Sequence, residues 1–84
     1  MTFWLSFADG NLPEGSQFLG VCIVDAPDFL PAIQLCHRLG INPGGEVQGG
    51  PLPPGLSLPD GYKNRLLNRA SAEEAESLLA VGEA

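Results

Sequence analysis

The apolar residues near the start of the chain predict two β-strands. Residues 2–8 are rich in aromatic side chains and alternate between two sets, which a strand would place on opposite faces. The sets are Phe3, Leu5 and Phe7 on one side, and Trp4 and Ser6 on the other. Residues 18–24 are almost entirely apolar, the pattern of a central strand that is covered on both faces. We expect the two strands to pair antiparallel through the turn-rich segment between them.

Residues 29–40 predict an amphipathic helix, because their apolar side chains recur at helical spacing. The recurring positions are Phe29, Ala32, Ile33, Cys36 and Leu39. Asp28 is expected to cap the N-terminus, because that places Pro31 in the first turn, where its missing N–H is not needed. Gly40 is expected to end the helix in the left-handed conformation.

The second half of the chain predicts a short strand, a proline-rich crossing and a short helix. Residues 46–48 can form a third strand, and residues 51–59 are expected to run extended over the surface. Ser71 and Glu74 match a capping box, with Ser71 as the N-cap. That box predicts a C-terminal helix from residue 72 to about residue 80.

These elements predict a single α+β domain over residues 1–84. Its architecture is a small antiparallel sheet of about three strands with helical cover on one face. One main helix supplies that cover, and a short C-terminal helix is added to it. A chain of 84 residues builds only a small core, so we expect a homo-oligomer.

The charge balance excludes two classes of partner. Ten acidic residues against four basic ones give a formal net charge of −6. Duplex nucleic acid and anionic membrane surfaces both attract clustered positive charge, so neither is an expected partner. The chain has no signal-peptide pattern and no apolar run of about 18 residues. We therefore predict a cytoplasmic protein in which Cys22 and Cys36 are reduced.

The residue types that carry catalysis are sparse. His37 is the single histidine, and its place in the last helical turn suits the helix dipole better than proton transfer. Cys22 and Cys36 fall on a central strand and on the apolar helix face, where they would fill the core. No zinc-type spacing is present. The sequence predicts a protein that is not an enzyme and needs no metal or cofactor.

The glycine-rich segment NPGGEVQGG, residues 42–50, is the first candidate for ligand binding. It matches neither phosphate-loop fingerprint, and it follows a helix, so no helix N-terminus points at it. One interpretation is a type II turn in which Gly44 takes a positive φ. The other is a small anion nest built from the N–H groups of Gly44 and Gly45. The pair Gly49–Gly50 would let another backbone or a flat ligand approach closely.

A basic cluster, Lys63, Arg65 and Arg69, is the second candidate. Arg65 and Arg69 are four positions apart, so on one helical turn they would share a face and could bind phosphate. The alternative is that Glu73 and Glu76 neutralise them.

Trp4 and Tyr62 are the large aromatic side chains that carry a polar group. Either of them could stack on a nucleobase. Trp4 could instead fill the core of so small a domain.

Four segments stand out as motifs. They are W-L-S-F-A-D at residues 4–9, Q-F-L-G-V-C-I-V at 17–24, N-P-G-G-E-V at 42–47 and N-R-L-L at 64–67. Together they resemble the motifs of a group of small proteins encoded by phages and prophages. The resemblance implies an accessory role during infection. Small phage proteins with such roles sequester the nucleotide signals of host defence, or bind a host protein.

The leading hypothesis is a binding module that sequesters a small phosphorylated nucleotide, cyclic or ADP-ribose-like, in the host cell. Backbone N–H groups or arginine would bind its phosphates, an aromatic ring would stack on its base, and polar side chains would contact its edges. The candidate residues are Trp4, Asn42, Gly44, Gly45, Glu46, Gln48, Tyr62, Arg65 and Arg69. The alternatives are an acidic inhibitor or adaptor that binds a host protein, and a minor virion-associated protein.

Overall fold

Four strands and two helices make up the part of the chain that the computed structural model describes, residues 1–53, 55–56 and 58–83. In chain order the elements are β1 (Thr2–Ala8), β2 (Phe18–Asp25), α1 (Phe29–Arg38), β3 (Glu46–Pro51), a 3-10 turn (Asp60–Tyr62), β4 (Leu66–Leu67) and α2 (Arg69–Glu83). The strands form one antiparallel sheet in the order β3-β1-β2-β4. The predicted α+β class is confirmed. Pro54 and Ser57 of the predicted crossing, and Ala84 at the end of the predicted domain, lie outside the described residues.

The first two strands pair antiparallel, as predicted. Leu5 lies opposite Cys22, and Phe3 lies opposite Val24. The backbone N–H of Asp9 donates to the carbonyl of Gln17 at 2.9 Å, which closes the connecting loop at its base. The alternation of β1 and the apolar run of β2 therefore define the centre of the sheet.

The two helices lie on opposite faces of the sheet. Against α1, the sheet buries Phe3, Leu5, Phe7, Cys22 and Val24, which pack with Ala32 and Cys36. Against α2, it buries Val21, Ile23 and Leu67, which pack with Ala72 and Ala75. The expectation of helical cover on one face alone was incomplete. Because β2 is apolar on both faces, each face needs its own helix.

Helix α1 begins and ends where the sequence predicts. The Asp28 carboxylate accepts a hydrogen bond from the N–H of Phe29 at 2.8 Å. At the other end Gly40 has a φ of +74°, and the N–H of Ile41 donates to the carbonyl of Cys36 at 3.0 Å. That pair of features is a Schellman motif, which satisfies the last carbonyls of the helix.

Helix α2 begins earlier than predicted, at Arg69. Its N-cap is Asn68, whose side-chain oxygen accepts from the N–H of Ser71 at 2.9 Å, so the prediction of Ser71 as N-cap was wrong. The preceding residues form β4, where Leu67 lies opposite Val21 and is 1% exposed. Burial of Leu67 on β2 fixes the end of that strand and leaves Asn68 in position to cap.

The cysteines are buried and free, Cys22 on β2 and Cys36 on α1. Burial, with the Cys36 thiol beside it, raises the pKa of Cys22 to about 12. The Cys22 thiol also donates to the carbonyl of Ile41 at 3.3 Å. Both thiols therefore remain protonated and shielded in the folded protein.

We expect neither cysteine to react with an aromatic disulfide reagent at pH 8 until the protein is unfolded, whereas an added cysteine in the Ser16→Cys variant, on the exposed first loop, reacts at once. Absorbance of the released thiol measures both rates. Native labelling of Cys22 or Cys36 at the rate of the added cysteine would contradict this expectation.

The same thiols make the stability of the protein depend on pH. Because folding raises their pKa, the free energy of unfolding should fall as pH rises above their ordinary pKa of 9.0, where the unfolded thiols ionise.

Candidate functional site

A groove between β1 and α2 brings together two of the predicted site residues, Trp4 and Arg69. It has a volume of about 230 Å³ and is hereafter the Trp4 groove. Its lining is Trp4, Ser6, Phe18, Val21, Arg69, Ala72, Glu73 and Glu76. The groove forms because alternation turns Trp4 and Ser6 toward the α2 face, whereas α2 packs mainly on β2 and β4.

Arg69 is held in the Trp4 groove by an aromatic ring. Its guanidinium carbon lies 4.9 Å from the centroid of the Phe18 ring, a cation–π contact. As the first residue of α2, Arg69 stands at the helix end where a positive charge is unfavourable by about 0.3–1 kcal/mol. Glu73 and Glu76 line the same groove, but among the described residues neither forms an ion pair with Arg69 within 4.0 Å.

Trp4 is half-buried, with its ring packed against the core on the α2 side. Both interpretations of Trp4, as a core residue and as a binding residue, therefore apply in part. Part of the indole fills the core, and part lines the groove. The site opposite Trp4 on β3 is Gly50, where a side chain would meet no atom within 4 Å. The space on that side of Trp4 is open.

Strand β3 adds two more predicted residues to the same face of the sheet. Gln48 lies opposite Ser6, and Glu46 lies opposite Ala8. Because directly opposed residues of an antiparallel pair share a face, both side chains belong to the face that carries Trp4. Both are exposed on the edge strand β3, and neither belongs to the lining of the groove.

The Asn42–Gly45 turn does not join the Trp4 groove. Its backbone has the positive φ that a turn requires at both glycines, +87° at Gly44 and +72° at Gly45. The N–H of Gly44 is already taken, because it donates to the side-chain oxygen of Asn42 at 2.8 Å. A side chain at Gly45 would overlap the carbonyl oxygen of Ala8. Both glycines are thus explained by backbone geometry, which weakens the nest interpretation.

Tyr62 and Arg65 also lie away from the Trp4 groove. The Tyr62 hydroxyl donates to the Glu74 carboxylate at 2.7 Å, which raises the pKa of Tyr62. Glu74 projects from the flank of α2 opposite to that of Glu73 and Glu76. Arg65 is exposed and precedes β4, so the expectation that Arg65 and Arg69 share a helical face was wrong.

The remaining member of the predicted basic cluster, Lys63, is neutralised by Asp25. Their charged atoms are 3.3 Å apart, the one ion pair within 4.0 Å among the residues that the structure describes. Asp25 also accepts a hydrogen bond from the Thr2 hydroxyl at 2.5 Å. The bond from Thr2, and to a smaller extent the contact with Lys63, lower the pKa of Asp25. Lys63 is therefore structural, tying the segment before β4 to the end of β2.

A second groove, along α1, was not predicted. Its volume is about 550 Å³, and its lining is Ile33, Gln34, His37, Arg38 and Asn42. We call it the α1 groove. From the sequence, His37 was assigned only to the helix dipole. The spacing of residues 33, 34, 37 and 38, which places all four on one flank of a helix, is the signal that could have found it.

Comparison with protein-family models, with curated proteins and with solved structures finds no match. Across residues 1–53, 55–56 and 58–83, no helix has the length and apolar character needed to cross a membrane. The same residues contain no group of three or more His, Cys, Asp or Glu side chains able to hold a metal ion. The function is therefore inferred from the geometry of the grooves.

Proposed function

We propose that this protein is a binding domain that holds a small phosphorylated nucleotide in the Trp4 groove without turning it over. The observation that carries the proposal is the meeting of Trp4 and Arg69, from opposite ends of the chain, in one groove. An aromatic surface and a guanidinium are the two groups that recognise a nucleobase and a phosphate. The stack of Arg69 on Phe18 presents the guanidinium in a fixed position, which reduces the entropy lost on binding.

The charge of the groove restricts the ligand. Arg69 contributes one positive charge, and Glu73 and Glu76 contribute two negative charges. A triphosphate would be repelled by those carboxylates, whereas a single phosphodiester can pair with Arg69. The carboxylates can then accept hydrogen bonds from ribose hydroxyls or an exocyclic amino group. We therefore favour a cyclic nucleotide, followed by an ADP-ribose-like one.

The size of the groove restricts how much of the ligand it holds. Its volume of about 230 Å³ is below the 300–1,000 Å³ typical of small-molecule pockets. One base, or one sugar phosphate, fits inside it. The rest of the ligand would lie along the exposed side chains of Glu46 and Gln48, or against a second copy of the chain. A homo-oligomer would enclose the ligand more completely.

The biological setting follows from the resemblance to phage and prophage proteins. A small protein that binds a nucleotide without hydrolysing it lowers the free concentration of that nucleotide. In an infected cell, such binding would silence a defence pathway that uses the nucleotide as its signal. We propose this sequestering role, in the host cytoplasm, for the Trp4 groove.

We expect a cyclic nucleotide to raise the melting temperature of the protein in a panel that also contains ADP-ribose and ATP. At a ligand concentration about 100 times the Kd, binding adds about 2.7 kcal/mol of stability, or about 10 °C or more in Tm for a domain of this size. Arg69→Gln should abolish the shift. Arg65→Gln removes a charge that is also exposed but lies before β4, outside the groove lining, and should preserve it. A flat panel, or equal loss in the two variants, would overturn the proposal.

A second candidate function, inhibition of a host protein, is favoured by a third depression at the start of β1. It has a volume of about 410 Å³ and is lined by Met1, Thr2, Pro51, Leu52, Pro53, Gly55 and Leu56. Met1 is 66% exposed, an apolar side chain open to a partner. The net charge of −6 would steer the protein toward a basic target. This function requires a host protein that the wild type captures and that a folded Pro53→Glu variant does not.

A further inference from the structure

We propose that the α1 groove is a second binding site, which takes a small carboxylate with an apolar body. The groove lies on the face of the sheet covered by α1, opposite the face that carries the Trp4 groove. Its volume of about 550 Å³ is within the range of small-molecule pockets. The proposal does not depend on nucleotide binding in the Trp4 groove.

Asn42 is positioned to act as a fixed donor. Its side-chain oxygen accepts from the N–H of Gly44 at 2.8 Å, which leaves the amino group as the free end of the carboxamide. Asn42 is half-buried, so its rotamer freedom is already restricted before a ligand arrives. An amino group held in this way donates to an anionic oxygen at little entropic cost.

Arg38 supplies the charge. Among the described residues it has no carboxylate within 4.0 Å, in a protein whose Lys63 is paired and whose Arg69 is stacked on an aromatic ring. A guanidinium matches a carboxylate with two parallel hydrogen bonds. One permanent positive charge balances one carboxylate, whereas a dianionic phosphate would remain partly uncompensated in so acidic a protein.

An apolar surface lies beside these donors. Ile33 is half-buried and packs on the core beneath α1, so its outer atoms form the apolar wall of the groove. Leu30 precedes Gln34 by one turn on the same flank of the helix and is 66% exposed. The ligand class that fits these neighbours is an aromatic or aliphatic carboxylic acid, with its ring or chain against Ile33 and Leu30.

Proton–nitrogen correlation spectra with phenylacetate as the probe test the site. We expect saturable shifts of the Asn42 side-chain amide and the Gly44 backbone amide. Phenylacetamide, the neutral isostere, should bind at least about tenfold more weakly, because it lacks the charge-assisted hydrogen bonds. Arg38→Gln should weaken phenylacetate binding by a similar factor, and Arg65→Gln should leave it unchanged.

The proposal would be overturned by no saturable shift, by equal binding of the neutral isostere, by no effect of Arg38→Gln, or by tighter binding of phenyl phosphate than of phenylacetate. Shifts centred on the Trp4 indole N–H would also overturn it, because they would assign the probe to the Trp4 groove. The nucleotide proposal stands or falls separately, since it is tested through Arg69. Neither Arg38 nor Asn42 contributes to that groove.

Discussion

Gly49→Ala should be the most damaging single-methyl addition in the sheet. Gly49 has a φ of +147°, and a side chain built there would overlap the carbonyl oxygen of Trp4 on the neighbouring strand. Backbone cannot yield as a flexible side chain does, so β3 would have to separate from β1. We expect a loss of about 3 kcal/mol or more from a total stability of about 4 to 13 kcal/mol, measured by urea denaturation.

Gly50→Ala is the matched control for this prediction. It adds the same methyl group one residue later, where no atom lies within 4 Å and φ is not in the left-handed range. Its stability should change by less than about 0.5 kcal/mol. If the two variants lose the same stability, close approach of β3 to the Trp4 backbone is not what fixes this strand. The Gly49 result also bears on binding, because β3 carries Gln48 beside the Trp4 groove.

Leu5→Ala should be the second large loss. Leu5 is 0% exposed at the centre of the sheet, and truncation of a buried leucine costs about 2–5 kcal/mol, the spread depending on how far the cavity collapses. In a domain of this size that loss lowers Tm by more than about 10 °C.

Leu30→Ala removes the same atoms from a leucine that is 66% exposed, and should change stability by no more than about 0.5 kcal/mol. Thermal unfolding followed by circular dichroism compares the two leucine variants directly. Equal losses would mean that Leu5 does not lie in a tightly packed core.

The parts of the fold that the sequence predicted are those in which local and long-range requirements agree. In β1, alternation and aromatic content both favour a strand, and the predicted grouping of Phe3, Leu5 and Phe7 on one face is confirmed; the structure shows that this face is buried. In α1, the cap at Asp28, the stop at Gly40 and the apolar spacing all favour one helix. Each of these signals depends on residues that are close together in the sequence, so the element can be recognised without knowledge of the tertiary structure.

The parts that the sequence missed depend on competition between equivalent local signals. Asn68 and Ser71 are both good N-caps, and only the burial of Leu67 against β2 decides for Asn68. A strand of two residues, β4, has no periodicity to detect. Because β4 lies between Arg65 and the start of α2 at Arg69, the two arginines do not share a helical turn as predicted.

The candidate site was predicted as separate residue types but not as an assembly. Trp4 and Arg69 were each chosen for their chemistry, and packing of α2 on the sheet brings them together. Phe18 could not be chosen, because its value lies in its position under Arg69. The face on which α2 packs is set by long-range contacts, which no local pattern encodes.

The two edge strands of the sheet limit how copies of this protein can associate. Strand β4 offers only two residues, and β3 presents the charge of Glu46, two glycines without side chains to interlock, and Pro51, which lacks an N–H. Addition of a further strand from another molecule is therefore disfavoured at both borders, and so is fibril-like stacking. Self-association, where it occurs, would use the helical faces and their grooves instead of continuing the hydrogen-bonded ladder.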